Sequence, residues 1–112
     1  TLALPLFTKT IESAKAQEAI AALQQIRAGE RVYFLKENTF WPCAGITDIN
    51  NYLRLFLETK SDRNWDYSVT TTPPSDLFTA TATRKTGPYQ NGKIKINQDG
   101  TLTPDGWPLP LH

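Results

Sequence analysis

AKAQEAIAALQQIRAGERVYF, residues 14–34, decides the fold. On a helical wheel centred on Leu23, the residues Ala16, Ala19, Ile20, Ile26, Glu30 and Phe34 fall within about 60°. Tyr33 sits at the edge of that stripe. Gln17, Glu18, Gln24, Gln25, Ala28 and Arg31 occupy the far side. Ala, Gln, Glu, Lys, Arg and Leu dominate, and all are good helix formers. The pattern predicts one amphipathic helix from about Pro5 or Thr8 to Leu35. At roughly thirty residues it is long against a mean near 11–12. Gly29 costs about 1 kcal/mol relative to Ala inside a helix, so a packing reason is expected there. Glu30 lies within the apolar stripe, and the reading is that it snorkels to the rim or pairs with Arg27 one turn earlier.

Outward towards the N-terminus the pattern turns apolar without a face. Leu2, Leu4, Leu6 and Phe7, with Pro5 among them, would protrude from a small domain with little to cover them. An exposed apolar group of this size marks an interface.

Outward towards the C-terminus, residues 36–64 read as a helical loop region. Asn38, Pro42 and Gly45 break regularity, and Phe40 and Trp41 are expected to fold back onto the core. Residues 48–59 read as a shorter helix, with Asp48 as N-cap and Ile49, Tyr52, Leu53 and Phe56 on one face. From Trp65 the period changes to two. Trp65, Tyr67 and Val69 alternate with polar residues, as do Phe78, Ala80 and Ala82, then Ile94 and Ile96. The separating stretches TTPPSD, TGPYQNG and QDG are turn-formers. Thr101, Leu102 and Thr103 are expected to pair briefly beyond the last turn. Residues 65–103 thus predict an antiparallel meander of three or four strands with one apolar face. Residues 104–112, with three prolines and no period, predict an extended or looping tail. The only large apolar stripe able to cover the sheet is the long helix. The expectation is one α+β domain over residues 1–112, a long N-terminal helix (1–35) packed on that sheet.

Composition narrows the chemistry. The 112 residues carry a net charge of +1, which gives no whole-molecule attraction to nucleic acid or anionic lipid. Cys43 is the single cysteine, so no disulfide forms within the chain and zinc sites built on several thiolates are excluded. No run reaches the roughly 18 apolar residues of a membrane span. The one histidine, His112, is the last residue, a poor foundation for acid–base or nucleophilic catalysis. Cys43 reads as a small apolar core residue. There is no Gly-rich phosphate loop. Enzyme chemistry is therefore not expected.

Two local clusters remain. Arg84, Lys85, Lys93 and Lys95 surround one hairpin with Tyr89 at its tip, a pattern that could hold a single nucleic-acid strand. The favoured reading is a solvated strand edge guarded by lysines, given the low net charge. Asn97, Asp99 and Asp105, with carbonyls beside two glycines, form a weak calcium candidate of hard oxygen donors. Asp-Gly pairs are mostly turns, and the spacing is not that of an EF-hand.

Residues 3–40 together with residues 65–87 and 94–102 resemble the globular part of a type IV pilin or a type II secretion pseudopilin. The first match is an Ala-Leu-Pro with an aromatic soon after, an Ala/Glu-rich amphipathic helix, an Ile-Arg, a Glu-aromatic step and a polar turn before Phe40 and Trp41. The second is Phe-Thr-Ala-Thr-Ala-Thr in one strand and Ile-x-Ile-Asn followed by Asp-Gly in the next. The family's basic leader, processing site and apolar segment are not in this sequence. The resemblance implies that the chain begins inside the helix, with Pro5 as the family's helix-kinking proline. It implies a structural subunit of a filament, self-associating through the N-terminal helix and meeting other pilins or pseudopilins. The filament interface would include Leu2, Leu4, Pro5, Leu6 and Phe7. An assembly ATPase, an inner-membrane platform and a prepilin peptidase are the implied partners. The implied location is the bacterial cell surface or periplasm, with an inner-membrane anchor before assembly. The lone Cys43 rules out the disulfide of many major pilins, which leans towards pseudopilins or disulfide-free pilins. Some pseudopilins bind calcium in C-terminal loops, which bears on Asn97, Asp99 and Asp105.

Overall fold

The computed structural model describes residues 3–72 and 76–111, with side chains from residue 8 onward. Helix α1 spans Ala3–Glu37, a shorter helix α2 spans Ile46–Tyr52, and four strands follow. They are β1 (Trp65–Thr72), β2 (Leu77–Arg84), β3 (Lys93–Asn97) and β4 (Leu102–Asp105). At about 1.5 Å per residue, 35 residues of helix give about 52 Å, close to the 54 Å long axis of the molecule. α1 ends where Asn38 takes a left-handed φ of 58° and its N–H donates to Phe34 O at 2.8 Å. Asparagine tolerates that conformation, so the break is written into the residue type.

The strands form one sheet in the order β1-β2-β3-β4, each antiparallel to the next. Val69 sits opposite Ala80, Ala80 opposite Ile96, and Ile96 opposite Leu102. One row over, Tyr67, Ala82 and Ile94 align in the same way. The period-two reading of the sequence therefore gives the buried face directly. α1 lies over β2 and β3, and α2 over β1. Small residues meet under the helix: Ala16 and Ala19 on α1 and Ala80 and Ala82 on β2 are fully buried. Leu23, Ile26, Phe78, Ile94 and Ile96 fill the space on either side.

The α+β expectation holds, and the departures from the sequence reading are local. β4 runs past residue 103 to Asp105 and contains Pro104. A proline fits there because β4 is an edge strand with no further neighbour. α2 begins after Gly45, not after Asp48, and stops at Tyr52. Asp48 lies in its first turn and accepts the Ala44 N–H at 3.3 Å. Beyond it Arg54 adopts φ 59°, which breaks the helix. Asn50 then captures the chain with both amide atoms, accepting Leu57 N–H at 2.8 Å and donating to Leu57 O at 3.1 Å. Phe56, expected on the buried face of a longer helix, is 99% exposed as a result. The tail also differs from a loose end. Trp107 is buried against Trp65 and Tyr89, Gly106 bridges to Lys93, and Leu109 and Leu111 pack onto the core. In the β1–β2 connection, residues 73–75 of the TTPPSD stretch lie outside the described residues.

Candidate functional site

The apolar start of the chain is the first candidate. Leu2 lies outside the described residues, and Leu4, Pro5, Leu6 and Phe7 are described only as helical backbone within α1. Of the next side chains along the helix, Thr8 is half-buried, Lys9, Thr10 and Ile11 are exposed, and Glu12 is the first to be fully buried. Glu12 stands about 14 Å along the helix from Ala3.

At Glu12 the helix is clamped to the sheet. Arg84 Nε donates to Glu12 Oε1 at 3.1 Å and Arg84 Nη2 to Oε2 at 3.0 Å. Arg84 Nη1 reaches Asn64 O at 2.8 Å, and its guanidinium lies 5.8 Å from the centre of the Trp65 ring. Both ions are almost fully enclosed. Trp65 adds a bond from its Nε1 to Lys15 O at 2.9 Å.

This geometry corrects the reading of Arg84 as a nucleic-acid contact. Its side chain faces the helix, because it continues the inward row of Phe78, Ala80 and Ala82 on β2. Lys85 donates to Ser61 O at 2.7 Å, and Lys95 pairs with Asp105 at 3.1 Å. Tyr89 is half-buried, edge-on to Trp107 with centroids 5.3 Å apart. Lys93 and Lys95 project from the outer face of β3, but no basic cluster with a free aromatic forms around the hairpin.

The calcium candidates do not converge. Asn97 Oδ1 accepts the N–H groups of Asp99 and Thr101, each at 3.0 Å, which caps the β3–β4 turn. Asp105 is carried to the other end of the hairpin: the register sets Ile96 opposite Leu102 and Ile94 opposite Pro104. There Asp105 is neutralised by Lys95. Among the described residues no group of three or more His, Cys, Asp or Glu is placed to hold a metal ion.

The other end of α1 carries two features. One is an open groove of about 700 Å³ between Ala28, Gly29, Val32 and Tyr33 on the helix and Tyr52, Leu53 and Leu55 on the returning chain. Val32 and Tyr52 are about half exposed along it, and Phe56 projects nearby. Gly29 is the crossing point: a Cβ there would stand 3.0 Å from Leu53 Cβ and 3.3 Å from Leu53 O. The packing reason expected for this glycine is thus Leu53.

The second feature is Glu30. It neither snorkels nor pairs with Arg27. Its side chain is fully buried, and Arg27 instead gives its Nε–H to Gln98 O at 3.1 Å. Glu30 Oε1 accepts the Trp41 N–H at 2.8 Å, while Oε2 is buried without a partner. Burial lifts the carboxyl from 4.5 to about 7, against a smaller opposing pull from the Trp41 N–H. Cys43, in a two-bond bridge with Val69, is held up to about 12 by burial, with Glu30 and Asp48 adding to the effect. Cys43 is thus a packed thiol, as the sequence suggested. The Trp41 ring closes this region, tilted against Tyr33 at 5.8 Å and Tyr52 at 5.2 Å.

No described helix is long and apolar enough to cross a membrane. No family model, no curated protein and no solved structure matches the chain.

Proposed function

We propose that this chain is the globular part of a structural filament subunit of the type IV pilin or pseudopilin kind, polymerising through its N-terminal helix. The observation that carries the reading is the exposed stretch of α1 ahead of Glu12. Thr8 is half-buried, Lys9, Thr10 and Ile11 are exposed, and Glu12 is the first fully buried side chain among the described residues. A helix that runs the length of the molecule and carries a run of exposed side chains, Lys9 to Ile11, ahead of its first buried one is suited to joining something outside the domain. The residues at that end, Leu4, Pro5, Leu6 and Phe7, are apolar, which favours a protein or lipid surface over water. The sequence resemblance supplies the kind of assembly, and the helix-on-meander architecture is compatible with it. In this reading the subunit has no active site, and its chemistry is packing.

The test is the precursor. Its reading frame is expected to place, before Thr1, a short basic leader followed by about 20 apolar residues. A start codon directly before Thr1, with no apolar segment upstream, would overturn the proposal.

A further inference from the structure

Glu30 is a buried acid with no counter-charge among the described residues. Its one hydrogen bond reaches across eleven residues, from α1 to the Trp41 N–H of the returning chain. Two weak acids are close enough to feel it, Tyr33 on α1 and Cys43 on the returning chain, while Lys36 and Arg54 line the adjoining groove as exposed side chains. β1 reaches this region through Val69, which pairs with Cys43 and is apolar. The bases on the same helix do not help, since Arg27 is turned to Gln98 O and Arg31 is exposed. Ionising Glu30 would therefore leave an unpaired charge in an apolar surround, which a protein relieves by neutralising the group or by admitting water.

We propose that Glu30 is a proton-operated latch: neutral, it holds residues 38–45 against α1; ionised, it lets them go. The same aromatic roof that closes the latch, Tyr33 and Tyr52 around Trp41, also lines the groove beside Leu53. Opening the latch remodels one wall of that groove. The latch requires only the monomer, so it stands or falls independently of filament formation. Cys43 and Tyr33 are both pushed upward by burial, so neither changes charge near neutral pH and Glu30 alone drives the transition.

Amide hydrogen exchange at Trp41, corrected for the intrinsic rate, tests it alongside a carbon-13 titration of the Glu30 carboxyl. The protection factor at Trp41 is expected to fall by at least about tenfold between about pH 5.5 and about pH 8.5. The amide of Ala82, in the centre of the sheet, keeps its protection. Glu30→Gln retains the acceptor for Trp41 N–H and cannot ionise, so its Trp41 protection is expected to be flat across the same range. Unchanged protection in the wild type, or an equal fall in Glu30→Gln, overturns the latch. Should the variant fail to fold, the wild-type titration still decides. A Glu30 carboxyl already ionised at the low end of the range, with Trp41 still protected, overturns it; a carboxyl titrating in step with the loss of Trp41 protection supports it.

Discussion

At the scale of single residues, two buried carboxylates meet opposite fates. Glu12 is given a bidentate arginine, and Glu30 is given one backbone N–H. The consequence for Glu30 has a definite sign. Its folded value, about 7, lies above its ordinary 4.5, so the native state holds the proton more tightly than the unfolded chain does. The stability tied to that proton is complete below 4.5 and is lost as pH rises through about 7, amounting to about 3 kcal/mol. Urea unfolding from acid to mildly alkaline pH is expected to show this decline, and Glu30→Gln is expected to remove most of it. A wild-type midpoint that rises over this window would contradict the assignment. Glu12 differs in its partner, an ion pair with Arg84. Arg84→Ala strands a carboxylate inside the protein and is expected to destabilise by about 3–5 kcal/mol, read in the same assay. Arg84→Lys is expected to recover only part of this, since an ammonium cannot make both parallel bonds. The wheel flagged Glu30 as anomalous but pointed it outward, because Arg27 looked available one turn away. The Glu12–Arg84 pair was half legible: Arg84 has the parity of Phe78, Ala80 and Ala82, an inward position, yet nothing local tied it to a residue 72 positions earlier.

Among elements, those with a strong period were readable and those held by single polar contacts were not. α1 and the first three strands emerge from the 3.6- and 2-residue patterns with ends shifted by a few residues. Tyr52, Leu53 and Phe56 continue a helical stripe, so the period alone predicts a longer α2 than Ile46–Tyr52. The chain departs from it at Arg54, where a left-handed turn and the two bonds of Asn50 outcompete one more turn of helix. Propensity has no access to such a trade, since the Asn50 partner lies seven residues on. The return of this segment also explains Gly29, where helix propensity and packing disagree. Gly29→Ala would gain about 1 kcal/mol in an isolated helix. Here the new methyl meets Leu53 Cβ at 3.0 Å and its carbonyl at 3.3 Å, and backbone cannot step aside cheaply. The substitution is expected to be net destabilising by about 1–3 kcal/mol in thermal or urea unfolding. A variant more stable than wild type would mean that the 53–55 segment is not held against α1.

The whole molecule is a long lever fixed to a small sheet, and the fixing is uneven along its length. The sheet end nearest Glu12 carries the Arg84 clamp, the Trp65–Lys15 bond and the aromatic set of Trp65, Tyr89 and Trp107. From this end α1 continues as helical backbone to Ala3. Trp107 comes from a tail with no period of its own, and its role was invisible in the sequence because it depends on partners on two different elements. Its ring lies tilted against Trp65 at 5.2 Å and edge-on to Tyr89 at 5.3 Å, and it covers Gly92, where a Cβ would stand 3.2 Å from the indole. Its Nε1 is buried without a partner, so its contribution is packing and not hydrogen bonding. Two substitutions separate these terms. Trp107→Ala is expected to cost about 3–5 kcal/mol, a large share of the 5–15 kcal/mol typical of a whole domain. Trp107→Phe keeps an aromatic surface and discards the unpartnered N–H, and is expected to cost less than about 1.5 kcal/mol. Melting curves at one pH read both. A Trp107→Ala protein melting with the wild type would show that the tail merely rests on the sheet. A Trp107→Phe protein as unstable as Trp107→Ala would show that the indole N–H has a partner after all. With the expected order, the C-terminal residues become part of the clamp that anchors the helix, and that clamp is built from both ends of the chain.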